Sequence, residues 1–365
     1  SYTGSVVEVR RSSDDAVRSF TAAEVTDGTL TTWVNAVGVA RNRTGSAKWG
    51  SFTPTATGFN ASASGAAACG YDVSGLNGAS IQVSFDIAVN SGSVTIMLRS
   101  GFESGSTVSN TLVANTSGSK SITLTATSDF VALQFISASA NIEVTNFSID
   151  TPFSNDGTVS KWYDQSGNDN HATQGTTASQ PKIVDGGSLV AGGIDFDGSN
   201  DFFQASIGTL TQPISGFSVF KNNSLLNAPS IWDSTSVTNR VVSYAVASND
   251  TFGIAAGTGI LSASSSQVDG TTYLRSDLIN TTASEGYVNG TLKMSGNAGT
   301  NSMEGLTIGA RYDGSVNFTN GSIAEVIIYN SDQSDKRRAI EENIGSNYGI
   351  TLPSSKDGTV SKWYD

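Results

Sequence analysis

Residues 306–330 read LTIGARYDGSVNFTNGSIAEVIIYN. The outer runs, "LTIGARY" and "GSIAEVIIYN", are rich in β-branched and aromatic residues, and the middle, "DGSVNFTN", is mostly the turn formers Asp, Asn, Gly, Ser and Thr. That is a strand, a turn and a strand. Working backwards, the same texture recurs in "GGIDFDG", "DFFQAS", "GFSVFKN", "NRVVSYAV", "TTYLRSDLI" and "EGYVNGTLKMS". In "YVNGTL", 287–292, Asn-Gly between strand residues predicts a hairpin with a type I′ turn. Forwards, "SDQSDKRRAIEENIGSNYGI" predicts one short C-terminal helix. Ser334 is its expected cap, Ile340, Ile344 and Tyr348 its apolar face, and Gly349 its stop.

The region 31–150 differs, being rich in Ser, Ala, Gly and Thr, with strand-like runs "SIQVSFDIAV", "SVTIMLRS", "KSITLTAT", "FVALQFIS" and "IEVTNFSID". Alternation with small polar turns predicts a second, smaller β-sandwich. Before it, 1–30 holds one strand, "SVVEVRR"; after it, 151–352 returns to the first texture. The expected organisation is therefore a discontinuous domain, 1–30 with 151–352, interrupted near the N-terminus by an insert at 31–150. An internal echo supports it: "TDGTLTTWV", 26–34, resembles "NDGTVSKWY", 155–163. "DGTVSKWYD", 156–164, also recurs letter for letter at 357–365, so 353–365 reads as a linker or the start of a repeated segment. Ser1 in place of methionine suggests a trimmed beginning.

Charge excludes some functions. A net charge of −12, with "DKRR" at 335–338 the one basic run, argues against nucleic acid as partner. No apolar run approaches the ~20 residues of a membrane span. Cys69, the single cysteine, has no internal disulfide partner.

Four pieces carry a family resemblance: "IDFDGSNDFF", "YVNGTL", the quoted 306–330 stretch and the closing helix. Together, over about 190–350, they resemble concanavalin A-like (laminin G-like, pentraxin-like) jelly-roll domains. "YTGSVVEVRRSSDD" with "WYDQSGNDNHATQ" is similar to the start of the α-L-arabinofuranosidase B catalytic domain, and to phage tail-fibre and virion proteins with the same signature. The insert resembles carbohydrate-binding-module-like jelly rolls. The chain departs from the fungal enzymes in having one cysteine and in lacking a match to the segment with their catalytic carboxylates. The resemblance thus implies fold and neighbourhood, and no catalytic residue.

The densest cluster of hydrogen-bonding side chains follows Trp162 and Tyr163: Asp164, Gln165, Asn168, Asp169, Asn170 and His171, the chain's one histidine. Asp and Asn tie to backbone amides a few residues on, and Gly167 accommodates the turn. These eight residues read either as a self-tied structural loop or as a glycan or calcium contact. Tyr312 and Asp313 form a second glycan candidate on an exposed turn. Asp195, Asp197, Asn200 and Asp201, in "DFDGSNDFF", could supply oxygens to calcium or simply make a strand corner. His171 lacks a triad or zinc partner and is expected to bond to a neighbouring carboxylate. Hydrolysis would need a facing pair from carboxylates such as Asp164, Asp169, Asp195, Asp197, Glu285 and Glu325, none set in a catalytic motif. Trp33, Trp49 and Trp232 read equally as core or platform.

The reading is an all-β protein: a concanavalin A-like jelly roll with an inserted β-sandwich. By resemblance it is a non-enzymatic virion surface protein, such as a tail fibre, capsid fibre or decoration protein. Glycan-binding loops, other virion proteins and further copies of itself as partners complete it, with no cofactor required and calcium the one ion its loops could take. The alternatives are a secreted arabinofuranosidase-like hydrolase and a repeat module of a bacterial adhesin.

Overall fold

The computed structural model describes residues 2–12, 15–35, 46–49, 52–54, 59–72, 80–92, 94–100, 108–114, 117–125, 130–150, 155–224, 228–246, 251–264 and 268–354. The repeated segment at 357–365 lies outside them. The chain divides into two compact units, Ser1–Arg11 with Asp15–Val34 and Asn155–Asp365, and Ser12–Asp14 with Asn35–Ser154.

The larger unit is an antiparallel jelly-roll sandwich. One layer runs Val17–Thr21, Ser5–Arg11, Gly157–Trp162, Lys182–Asp185, Ile194–Asp197, Asn320–Tyr329, Ile214–Ser224, Thr272–Ile279, Ser284–Val288, Thr291–Gly296. The other runs Ala172–Thr173, Phe203–Leu210, Met303–Ile308, Ser230–Asp233, Val241–Val246, Thr251–Ala256, Gly259–Ser264. Gly157–Trp162 also pairs with Ala172–Thr173, which joins the layers at one side. From residue 194 to 233 successive strands alternate between layers, so the chain winds around the core rather than meandering across one sheet. Period-2 alternation supplies that core: Phe196 meets Phe203 edge to face at 5.9 Å, and Phe220 meets Phe252 at 5.8 Å. Trp232 is fully buried among them, so it is core rather than platform. Each such aromatic contributes roughly 2–3 kcal/mol by leaving water.

Among the described residues one ion pair has both partners buried inside the sandwich. Arg275 donates from Nε to Asp277 (2.8 Å) and from Nη1 and Nη2 to the carbonyls of Tyr244 and Gly253 in the facing layer. Asp277 in turn accepts from the Ser243 hydroxyl at 2.8 Å. Both side chains are 1% exposed, and burial pushes the Asp277 carboxyl up against the pull of Arg275.

Helix Ser334–Tyr348 covers the outside of the first layer, setting Ile344 against Phe217, Val219 and Leu274. One expectation needs correction: Ser334 is the first helical residue rather than the cap, and its amide donates to Asp332 Oδ1 at 2.8 Å. Tyr348 continues the face of Glu341, Ile344 and Gly345 but reaches the sheet only at its tip, 38% exposed with its hydroxyl donating to the Ala324 carbonyl at 3.4 Å. Glu341 is buried because Ser276 Oγ (2.8 Å) and Arg337 Nη1 (2.6 Å) donate to it.

The smaller unit carries one antiparallel sheet of eight strands among the described residues. Its spine is Phe130–Asp150, where two separate strands were expected. A register shift between Ser137 and Ala140 lets one strand bend and continue. Along one edge it pairs with Phe59–Asp72; along the other it takes Val94–Ser100 and then Ser80–Ser91. Val83, Phe85, Ile87, Ile142 and Val144 are buried, as period-2 alternation requires.

The echo fails as structure. Gly157–Trp162 is a strand, but within "TDGTLTTWV" Thr29–Asn35 is a helix. There Asp27 Oδ1 accepts from the Thr29 amide at 2.8 Å, and Leu30 and Val34, one helical turn apart, are both buried. Val159, two residues from the small, buried Gly157, instead follows strand spacing.

Candidate functional site

The polar loop after Trp162 is organised by Asp164. Its Oδ1 accepts from the Ser166 amide at 2.8 Å, and its Oδ2 from the Ser166 hydroxyl (2.8 Å) and the Asn170 amide (3.0 Å). Burial alone would raise its pKa, but these donors and the nearby His171 outweigh it and hold the carboxylate low. Ser166 Oγ accepts from Asn168 Nδ2 at 2.9 Å, a second internal tie. Gly167 (φ +88°) and Asp169 (φ +58°) take the left-handed conformations that close the loop. Gln165, Asn168 and Asp169 are left exposed, while Asn170 and His171 are half-buried.

His171 is bound differently from expectation. Its Nδ1 accepts the Asp164 backbone amide at 3.1 Å, while Asp169 Oδ1 stands 3.9 Å from Nε2. The ring sits edge-on to Tyr163, centroids 4.8 Å apart, and Tyr163 shares a 2.9 Å hydrogen bond with Ser19. Trp162 packs on Phe203 at 6.1 Å, on the core side.

The second candidate, the 311–315 turn, is tied as tightly. Arg311 grips Asp313 through Nε (3.0 Å) and Nη2 (2.7 Å), and the Ser315 hydroxyl donates to Asp313 at 2.8 Å. The Arg311 bond, opposed by slight burial and helped by Ser315, holds the Asp313 carboxyl far below the usual range. The Tyr312 ring lies 5.3 Å from the Arg240 guanidinium and 5.1 Å from that of Arg311. Its backbone amide donates to Asp233 at 3.1 Å. Asp233 is wholly buried and takes a two-pronged bond from Arg240; burial outweighs that bond and pushes the carboxyl up to about 6.

The third candidate is a corner tied by its own backbone. Asp197 Oδ1 accepts from Ser199 (2.7 Å) and Asn200 (3.2 Å), and Asp201 Oδ2 from the Asp197 amide (3.0 Å). Burial, then the Asp197 charge, pushes Asp201 up to about 7, and burial with the Asp185 charge raises Asp195. Among the described residues no group of three or more His, Cys, Asp or Glu is placed to hold a metal ion.

The three segments converge on one place, the start of strand Phe203–Leu210. The corner runs directly into it at Phe202. The loop runs into Ala172–Thr173, where Thr173 pairs with Gln204, and Gln174 Nε2 donates to the Phe202 carbonyl at 3.0 Å. Gln204 Nε2 donates to the Tyr312 carbonyl at 3.1 Å and so fixes the turn.

The remaining candidates are dispersed. Glu285 accepts from the Tyr287 hydroxyl at 2.6 Å, and burial first, then that bond, pushes Tyr287 up to about 12. Glu325 is a strand residue raised by burial. Trp33 is half-buried against Phe20, with Arg11 at 4.7 Å; the Trp49 side chain lies outside the described residues. Sequence reading missed Arg240, Asp233 and Gln204. One signal was available: "SIWD" ends a strand on a charge that is costly to bury without a partner.

No protein-family profile matches the chain. No curated protein matches it either. Among solved structures it is similar to a native heptameric SAP-like pentraxin from Limulus polyphemus, with 13% identity and a TM-score of 0.32 over 39% of this chain and 77% of that one. It is similar to domains LG4-5 of the mouse laminin α1 chain, with 10% identity and a TM-score of 0.31 over 76% and 92%. A truncated AlyQ with CBM32 and alginate lyase domains gives 10% identity and a TM-score of 0.24 over 74% and 91%.

Proposed function

We propose that this chain is a non-enzymatic, glycan-binding surface protein, a virion fibre or decoration subunit whose loops meet host or environmental carbohydrate. The observation that carries the glycan reading is the convergence of three internally tied polar segments on residues 202–204. Sugars are recognised by fixed hydrogen-bonding groups, and a loop tied through Asp164 presents Gln165, Asn168 and Asp169 at little further entropic cost. Non-enzymatic use is supported by the structural ties that several carboxylates of these segments already make. Asp164 ties the loop, Asp233 holds Arg240, and Asp313 holds Arg311. The virion setting and its protein partners rest on the sequence resemblance. Calcium is not required by this reading; the assay is run with and without it because Asp195, Asp197, Asn200 and Asp201 offer oxygens on one strand corner, although no described group of three or more His, Cys, Asp or Glu is placed to hold a metal ion.

The test is a glycan array with the intact protein, in calcium and in chelator, beside a reducing-sugar release assay. Binding to a defined glycan class, lost in Asn168→Ala and Asp169→Ala at unchanged melting temperature, is expected. Undiminished binding by both variants would move recognition away from the loop. Sugar release by the intact protein would end the non-enzymatic reading.

A further inference from the structure

We propose that His171 is the latch of the polar loop: neutral, it clasps residues 164–171 shut, and protonated it releases them, so that recognition by the loop is switched off in acid. The latch stands on geometry alone, and its effect on binding rests on the glycan reading above. The neck of the loop is closed twice, in opposite directions. The Asp164 amide donates to His171 Nδ1 at 3.1 Å, and Asp164 Oδ2 accepts from the Asn170 amide at 3.0 Å. Gln165, Asn168 and Asp169 lie on the arc between these ties, so whatever opens the neck frees them.

The first tie fixes the charge of the ring. An aspartate backbone nitrogen always carries its hydrogen, so Nδ1 holds a free lone pair, the ring proton sits on Nε2, and the imidazole is neutral. A proton added at Nδ1 sets donor against donor and breaks the bond. A histidine that donated from Nδ1 to a carbonyl would instead be held more tightly once charged. The side chain is 26% exposed, so protons reach it, and histidine ordinarily changes charge between about pH 5 and 8. Within the loop, Asp169 Oδ1 stands 3.9 Å from Nε2, and the Asp164 carboxylate also feels the ring's charge. From strand Gly157–Trp162, Tyr163 meets the ring edge-on, and Lys161 Nζ lies 5.2 Å from the Tyr163 ring and 3.9 Å from Glu8 of the next strand. The two loop carboxylates favour the imidazolium and the amide on Nδ1 opposes it. Proton uptake and closure therefore compete.

The test is hydrogen exchange on the intact protein, read on the fragment spanning Tyr163–His171 and corrected for the intrinsic pH dependence of exchange. With one histidine in the chain, a single imidazole signal in NMR reports the ring's charge alongside it. Protection of the fragment is expected to fall about tenfold as that signal titrates, roughly the worth of one hydrogen bond. His171→Asn keeps an acceptor near the Nδ1 position without titrating, and is expected to hold protection level from about pH 8 to 5. His171→Ala is expected to be poorly protected throughout. Level protection in the parent while the imidazole titrates, or an imidazole still neutral at about pH 5, would overturn the latch. So would the same fall in His171→Asn, which would trace it to Asp201 or Asp233, pushed up to about 7 and about 6. On the glycan array, binding by the parent is expected to fall with the same midpoint, and binding by His171→Asn to stay level. No binding at any pH would end the glycan reading and leave the exchange result to decide the latch.

Discussion

Asp164 is the residue on which the polar loop depends, since three donors within six residues of it end on its two oxygens. Asp164→Ala is expected to cost about 1–2 kcal/mol in denaturant unfolding and to speed hydrogen exchange at the Ser166 and Asn170 amides. Asp164→Asn keeps the acceptor oxygen and is expected to lose less. The Arg275–Asp277 pair carries larger stakes, because it bridges the two layers where water is excluded. Arg275→Met strands a carboxylate and the carbonyls of Tyr244 and Gly253, and is expected to cost about 3–5 kcal/mol. Replacing both partners, Arg275→Met with Asp277→Leu, is expected to recover much of that. A double variant no better than the single one would mean that the carbonyls, rather than the stranded charge, set the cost. These roles were only partly legible in advance. Asp164's turn chemistry is local and can be read from "DQSGN", whereas Arg275 and Asp277 are satisfied by residues more than twenty positions away.

Elements with local grammar were the readable ones. Asn289 (φ 46°) and Gly290 (φ 75°) make the expected type I′ turn, with Val288 opposite Thr291. Asn289 Oδ1 also accepts the Leu274 amide at 2.9 Å, so the hairpin is fastened to its neighbour. Gly290→Ala is expected to cost about 1 kcal/mol from the left-handed backbone, and the new methyl must also push aside Arg338 Nη1, 2.9 Å from where it would sit. The closing helix was legible in extent but not in attachment. Its anchor combines Ile344 with a buried carboxylate, and Glu341 looks like a surface residue until Ser276 and Arg337 are placed beside it. Ile344→Ala is expected to cost about 2–4 kcal/mol, read in the same unfolding experiment. Least legible was Phe59–Asp72, whose Ala, Ser and Gly carry almost no strand propensity. It is a strand because Phe130–Asp150 pairs along most of its length. The helix within "TDGTLTTWV" makes the complementary point: one side-chain cap and two well-spaced apolar residues outweighed a likeness in letters.

At the scale of the whole molecule, the acidic surplus sets the response to pH. Asp201 is pushed up to about 7 and Asp233 to about 6, burial leading in both cases. In the unfolded chain each returns to an ordinary aspartate value of about 4. Between those limits the folded state binds more protons than the unfolded state, so stability falls as pH rises. The contribution is whole below about pH 4 and is lost as pH passes through 6 and 7. Asp164 and Asp313 act oppositely: their pKa values are lowered, so their support is present above about pH 4 and fades only in stronger acid. The two windows barely overlap. From about pH 5 to 8 the buried aspartates dominate, and the growing negative charge of a chain at −12 works in the same direction. The melting temperature of the larger unit is therefore expected to fall across that range. Asp201→Asn keeps an acceptor for the Asp197 amide and removes the titrating group. It is expected to flatten the slope and to be more stable than the parent at pH 8, with the difference shrinking towards pH 5. Parallel curves for parent and variant would mean that Asp201 is already ionised throughout, with Lys182 offsetting the repulsion from Asp195 and Asp197.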